Sequence, residues 1–345
     1  MRSLYAYRQR AEAALVRYFD DLPDRLLPAA GRWPARSVEL LRDLTLRGGK
    51  RLRAAVVYAA AGLVTGADVP GLDSAVLGVE LLHTHGLVHD DIIDDAPTRR
   101  GGPSTYHAYR AEVADPEARN LAILAGDLAA FLSVRAVLDA PVPAGVRHAM
   151  AAVLTSAAAD AVLGQILDLE RDATPDAGAG FLDVVTDHKS ARYSILAPLR
   201  LGLLAAGAEP GDHEEELRRY AWSAGIYEQM RDDYLDLFGD ESVTGKPVGG
   251  DLRAGRRTYV VRALLEVPET RRLLQPALGD PAVTPEVVAE LRDRAIEHGI
   301  AGRLRDTIRH HAETAAAEAA TWRWWRTEGT AFFRDLPLVS MDRIS

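Results

Sequence analysis

Hydrophobic positions recur at helical spacing along almost the whole chain, and no stretch sustains the alternation of a strand. Leu4, Ala11, Leu15, Tyr18 and Phe19 mark a first helix over about 4–20. Further apolar runs predict helices over 49–64, 72–94, 118–139, 143–170, 179–206 and 213–239, and the last third adds 256–265, 284–299 and 303–327. Proline and glycine punctuate the joins, as at Pro70-Gly71, Pro141 to Pro143 and Pro210-Gly211. No linker is long enough to separate domains, so the pattern predicts an all-α fold, a single large helical domain over residues 1–345. Residues 246–255, polar and rich in glycine, read as a functional loop.

The helix predicted over 72–94 ends in acid, with Asp90, Asp91 and Asp94 at i, i+1 and i+4. At about 100° per residue the three carboxylates are expected on one side of the helix. Converging carboxylates repel one another without a counter-charge, and oxygen-only donors suit a hard cation, Mg²⁺ above all. A solvated acidic helix end explains one such cluster equally well. Asp232, Asp233 and Asp236 repeat the spacing inside another apolar run. Two such clusters are expected to face each other across a helical cavity and hold divalent ions with a polyphosphate.

Composition narrows the field. The chain has 345 residues, 48% hydrophobic and 26% charged, enough for a sizeable core. It has no cysteine, which excludes disulfides and thiolate metal sites. A net charge of −9 argues against nucleic acid as a partner. The N-terminus shows no apolar signal core, and no apolar run reads as long and uncharged enough to span a bilayer. A cytoplasmic protein with no integral membrane segment is expected.

Cationic elements surround the acidic clusters. Gly48-Gly49-Lys50-Arg51-Leu52-Arg53 is expected to open a helix, with Lys50 and Arg53 on one face able to grip a diphosphate. Arg99-Arg100 follows the first cluster, Lys189-Ser190 lies in a helical run, and Lys246 and Arg256-Arg257 flank the glycine-rich loop. His83 lies seven residues before Asp90, two turns away on about the same face. His85 and His89 are four apart: a metal pair is one reading, a hydrogen-bonded core role the other.

These motifs together, from about residue 45 to 260, resemble the trans-isoprenyl diphosphate synthases, the polyprenyl synthetase family. The resemblance rests on Gly48 to Arg53, His83, Asp90-Asp91-x-x-Asp94, Arg99 to Gly101, Gly126-Asp127, Lys189-Ser190, Gln229-x-x-Asp232-Asp233-x-x-Asp236, Gly245 to Pro247 and Asp251. It implies an all-α prenyltransferase fold around a central cavity, a homodimer, and two or three Mg²⁺ per active site. The implied reaction joins isopentenyl diphosphate to an allylic diphosphate and releases pyrophosphate. By matching positions, Asp90, Asp91, Asp94, Asp232, Asp233 and Asp236 form the Mg²⁺ zone, with direct ligation at Asp90, Asp94 and Asp232. Lys50, Arg53, His83 and Arg100 match the isopentenyl diphosphate grip. Arg99, Lys189 and Lys246 match the allylic diphosphate grip, with Ser190 and Gln229 lining the same region, and Arg256 counts among the substrate-binding positions.

Three departures stand out. Glu228 occupies a position where relatives often carry Phe, Arg256 replaces a usual Lys, and Trp322-Arg-Trp-Trp325 reads as packing, with dimer or membrane contact as an alternative. A class I terpene cyclase and a non-catalytic partner subunit are the other functional readings. The usual second metal motif of the first is absent, while the second is expected to have lost acidic positions that are retained here. Gly86 and His85, four and five residues before Asp90, match the floor beneath the growing tail. Gly86 leaves space and His85 narrows it, which suggests a C20 product, with C15 as the alternative. If His85 turns to a neighbouring helix, the tail path is open.

Overall fold

The computed structural model describes residues 2–26, 31–174, 178–240 and 248–339. The protein is 80% helical, as the hydrophobic pattern predicts. The elements are α1 (Arg2–Leu26), α2 (Arg32–Leu46), α3 (Leu52–Val64), α4 (Leu72–Ile93), a hairpin of β1 (Thr98–Arg99) and β2 (Gly102–Pro103), α5 (Thr105–Arg110), α6 (Asp115–Leu138) and α7 (Ala144–Ala173). After these come α8 (Ala179–Thr186), a π-helix (Asp187–Leu196), α9 (Ala197–Ala205), a 3₁₀ turn (Pro210–His213) and α10 (Glu214–Phe238). The chain ends with α11 (Gly250–Arg253), α12 (Tyr259–Glu266), α13 (Pro268–Ala277), α14 (Pro285–Glu297), α15 (Ile300–Ala320) and α16 (Thr327–Val339).

The fold divides into two compact units. The first comprises Met1–Ala158, Ala197–His213 and Trp325–Gly329; the second comprises Ala159–Leu196, Glu214–Trp324 and Thr330–Ser345. In the first unit small residues let helices approach closely. Ala118, Ala122, Ala125, Ala129 and Ala136 bury one face of α6, and on α4 a Cβ at Gly78 would lie 2.7 Å from Val137. On α9, a Cβ at Gly202 would lie 2.3 Å from the Val57 carbonyl oxygen of α3, so those two helices meet backbone to backbone. The second unit has its own core, in which Tyr227, Met230, Leu237, Leu264, Leu291 and Ile308 are buried from α10, α12, α14 and α15.

Several elements differ from their sequence expectation. Helix α2 was not predicted; its buried Val38, Leu40, Leu41 and Leu44 sit behind Pro34, which the first turn of a helix tolerates. Helices α5, α13 and α16 were also missed. Helix α15 stops at Ala320, before the tryptophans. Trp322 is buried against Tyr220 and Phe333 in the second unit, so it does serve packing, whereas Trp324 is 77% exposed. Contrary to the expectation of no long apolar run, α6 and α7 are long and apolar enough to cross a membrane by length and composition. The α6 window is 44% buried within the fold and the α7 window 22%.

Candidate active site

In the first unit the acidic cluster sits at the C-terminal end of α4, with the Asp94 N–H closing the last turn on Asp90 O at 2.9 Å. The three carboxylates do not lie together as expected. The 100° step from Asp90 carries Asp91 into the interior, where it is 0% exposed and receives Arg99 Nε at 2.7 Å and Nη2 at 2.5 Å. Burial raises its pKa against the opposing pull of Arg99. Asp90 is half-buried and Asp94 exposed, which leaves these two facing outward.

The β1–β2 hairpin fixes the two arginines. Arg100 and Gly101 form its two-residue turn with φ of 54° and 77°, the left-handed pair a type I′ turn requires. Arg47 braces it from the end of α2, donating to Arg99 O and Pro103 O, both at 2.9 Å. Arg100 in turn meets His83 Nε2 at 3.2 Å, and burial followed by Arg51 lowers its pKa to about 10. Burial, with Arg53, Arg100, Arg51 and Arg99 following in that order, holds the His83 pKa well below its ordinary range. An imidazole kept neutral by burial and by the charge of nearby guanidinium groups marks a place that favours an anion.

The glycine-lysine-arginine motif is built differently from its prediction. The helix begins at Leu52, so Lys50 lies in the preceding loop and the shared helical face of Lys50 and Arg53 does not exist. Gly48, Gly49 and Arg51 all take positive φ, at 57°, 104° and 50°. Arg51 turns inward to Glu80 at 2.7 Å, with both side chains 3% exposed or less. It also donates to Thr45 O at 2.5 Å. It anchors the loop, while Lys50 is exposed and Arg53 half-buried.

In the second unit Lys189 and Ser190 lie on the π-helix, a geometry that concentrates at functional sites. Two glycines make room for it: a Cβ at Gly164 of α7 would lie 2.7 Å from Lys189 N, and one at Gly225 of α10 would lie 2.6 Å from Ala191 Cα. Lys189 pairs with Asp168 at 2.6 Å, and Arg171 meets the same carboxylate at 2.5 Å. Burial alone would raise the Asp168 pKa; Lys189 and Arg171 outweigh it and the pKa is lowered. Ser190 Oγ donates to Gln229 Oε1 at 3.2 Å, and Gln229 Nε2 donates to Asp233 Oδ1 at 2.8 Å. Asp233 also accepts from Tyr259 N at 3.1 Å, and Asp236 accepts from Asp251 N at 3.0 Å. Lys189, Gln229, Asp233, Asp251, Arg256 and Asp168 line one cavity of about 70 Å³. The predicted Lys189, Ser190, Gln229, Asp233 and Arg256 are thus brought together. Asp168, Arg171 and Tyr259 were missed, because nothing in their sequence spacing marks them. Lys246 lies outside the described residues.

Glu228 has a structural reason. Its carboxylate receives the buried Arg231 guanidinium at 2.8 and 2.7 Å, and Arg231 also meets Asp232 at 3.0 Å. Arg231 is 2% exposed and lies over the Tyr227 ring. Glu228 therefore answers an arginine three residues along its own helix and fixes the neighbour of Asp232.

The family model for polyprenyl synthetase matches residues 35–294. The chain belongs to that family. The chain is 33% identical over 259 residues to a short chain isoprenyl diphosphate synthase of Methanocaldococcus jannaschii, covering 72% of this chain and 73% of that one. It is 34% identical to the farnesyl diphosphate synthase of Escherichia coli, covering 83% and 91% respectively. A geranylgeranyl pyrophosphate synthase from Corynebacterium glutamicum, solved with isoprenyl diphosphate and magnesium, superposes with a TM-score of 0.88 over 98% of both chains at 27% identity. Members of the polyprenyl synthetase family are prenyl diphosphate synthases, transferases of isoprenoid biosynthesis that depend on Mg²⁺, and the chain is an enzyme of this class.

The donors fit such an ion. Asp90, Asp94, Asp232 and Asp236 offer carboxylate oxygens only, and Asp91 Oδ2 is buried with no hydrogen-bond partner among the described residues. Around Asp236 the balance is acidic: burial and then Asp236 and Asp233 push Asp251 up to about 8, and burial pushes Asp233 up to about 7. A divalent cation held there would relieve this excess.

The sign of the Asp233 shift gives a test. Below its ordinary value of 3.8 the carboxyl is protonated in both states. As pH rises to about 7, the unfolded chain ionises while the folded one does not, so stability is lost across that window and no further above it. In metal-free protein Asp233→Asn should match wild type near pH 4 and exceed it at pH 8, by roughly 4 kcal/mol at most. Urea unfolding at both pH values measures the gap; equal stability at pH 8 would show that burial does not raise the Asp233 pKa.

Proposed function

We propose that the protein joins isopentenyl diphosphate to an allylic diphosphate and releases pyrophosphate and an all-trans prenyl diphosphate of C20 length. The observation that carries this reading is Arg100 at 3.2 Å from His83, with Arg53 and Arg99 near enough for their charge to act on that ring, beside the carboxylates that end α4. A condensing enzyme needs such an anion cradle for its second diphosphate, and a cyclase acting on one diphosphate does not. Arg53, Arg100, His83 and Lys50 hold isopentenyl diphosphate. Arg99, Lys189, Arg256 and Lys246 hold the allylic diphosphate, with Ser190 and Gln229 orienting that side. Lys189 reaches its ligand by leaving Asp168, which Arg171 continues to hold. Asp90, Asp94, Asp232 and Asp236 ligate Mg²⁺, two or three ions per active site, while Asp91 and Asp233 within the same zone position Arg99 and Gln229. Bound Mg²⁺ neutralises the diphosphate and stabilises pyrophosphate as it leaves. The allylic C–O bond breaks as pyrophosphate leaves, the double bond of isopentenyl diphosphate forms the new C–C bond, and the condensed cation gives up a proton to that pyrophosphate. The family match runs through both compact units, which supports reading the chain as one catalytic domain.

Two features of α4 support a C20 product. A Cβ at Gly86 would meet nothing within 4 Å, and His85 is turned to Gly126 O of the neighbouring α6 at 3.1 Å. The homodimer reading is supported by α6, where Leu124, Phe131 and Leu138 recur at a spacing of seven and are 63%, 74% and 46% exposed.

Incubation of the purified protein with isopentenyl diphosphate, each allylic primer and Mg²⁺ should give elongated diphosphates; a cyclic hydrocarbon, or no product, would sink the assignment. Asp90→Ala and Asp232→Ala should lower turnover by about one to two decades or more, and Arg53→Ala should raise the KM for isopentenyl diphosphate by a similar factor. Product chromatography checks the length: Gly86→Phe should shorten products toward C15 and His85→Ala should leave them unchanged. Longer products from His85→Ala would put that side chain in the tail path. In sedimentation, Phe131→Glu should convert a dimer to a 37.5 kDa monomer, and a variant that stays dimeric would move the interface elsewhere.

A further inference from the structure

Helices α4 and α6 carry a second set of converging donors. A ring nitrogen of His85, one of His89 and a carboxylate oxygen of Asp127 all lie within 4.8 Å of one another. His89 Nε2 is 3.3 Å from Asp127 Oδ1. Ligands of a tetrahedral ion with bonds near 2.0 Å are themselves about 3.3 Å apart, so this pair already stands at ligand spacing. The same nitrogen is shut off from solvent and makes no hydrogen bond among the described residues, although an acceptor is beside it. His85 Nδ1 meets Gly126 O at 3.1 Å. A neutral ring donating there keeps a lone pair on Nε2, and a backbone carbonyl is a usual anchor for the far nitrogen of a metal-binding histidine. Burial, followed by His89, lowers the His85 pKa and favours that neutral ring.

Gly126 completes the arrangement. A Cβ there would lie 2.5 Å from His89 Nε2, so the missing side chain is what lets the imidazole rest against α6. The two rings, four residues apart on α4, have centroids separated by 4.6 Å. The Asp127 side chain is 47% exposed and leaves an entry path.

We propose that His85, His89 and Asp127 bind a transition-metal dication of the zinc type, with water as the fourth ligand, and so tie α4 to α6. Two imidazoles and one carboxylate prefer such an ion to Mg²⁺, which takes six oxygens. The site differs in donor chemistry from the acidic clusters and does not depend on the product assigned above.

Metal-free protein is titrated with Co²⁺ in the presence of excess Mg²⁺, which occupies the carboxylate clusters. The expected result is one equivalent of Co²⁺ with the visible band of a four-coordinate ion, displaced by Zn²⁺, and a higher melting temperature. His89→Ala and Asp127→Asn should abolish both. If His89→Ala does not fold, the near-isosteric change at half-exposed Asp127 carries the test. No band under excess Mg²⁺, the weak band of a six-coordinate ion alone, or a band unchanged in Asp127→Asn overturns the proposal.

Discussion

A charge withdrawn from water must meet an opposite charge or change its protonation, and that constraint shapes each compact unit. In the first, Glu80 is buried on α4 and Arg51 answers it from a left-handed backbone position. Breaking a buried pair costs about 3–5 kcal/mol, which is ample to hold one non-glycine residue at positive φ. Arg51 thus serves the loop, and it is Arg100 that meets His83, at 3.2 Å. In the second unit Asp168 is answered by Lys189 and Arg171, whereas Asp233 and Asp251 are pushed toward their neutral forms.

Much of this was legible because chemistry that needs several like groups must repeat them. The two acidic clusters, the tandem arginines after the first and His83 two turns before it are all visible in the order of residues. The structure brings His83 and Arg100 within 3.2 Å, and joins Ser190, Gln229 and Asp233 in one chain of hydrogen bonds. Periodicity failed where helices begin and end. Lys50 looked helical and is not, since the positive φ values that eject it from α3 belong to its neighbours. Helix α2 was obscured by a proline in its first turn. Asp168, Arg171 and Tyr259 could not be found, because their role depends on which helix faces the π-helix and not on any local spacing.

Glu228 illustrates a related limit. Read alone, a carboxylate in place of an aromatic side chain looks like a disturbance of the prenyl pocket. Its meaning lies three residues further on, where Arg231 is buried and needs a counter-charge. Glu228 and Arg231 pair within a single helical turn, and the cation that Glu228 satisfies also touches Asp232.

The π-helix has a consequence for how this protein tolerates variation. The main chain at Lys189 and Ala191 is pressed from α7 and α10 at the two places where Gly164 and Gly225 offer no side chain. Neither glycine carries a charge. Yet a single methyl group at either would fall on backbone that cannot yield as a side chain can, and would shift the lysine without altering its chemistry. Sensitivity to mutation therefore does not decay smoothly with distance from the reacting groups. An engineer altering substrate scope has more freedom among the exposed residues of the cavity rim than at these two silent positions behind it.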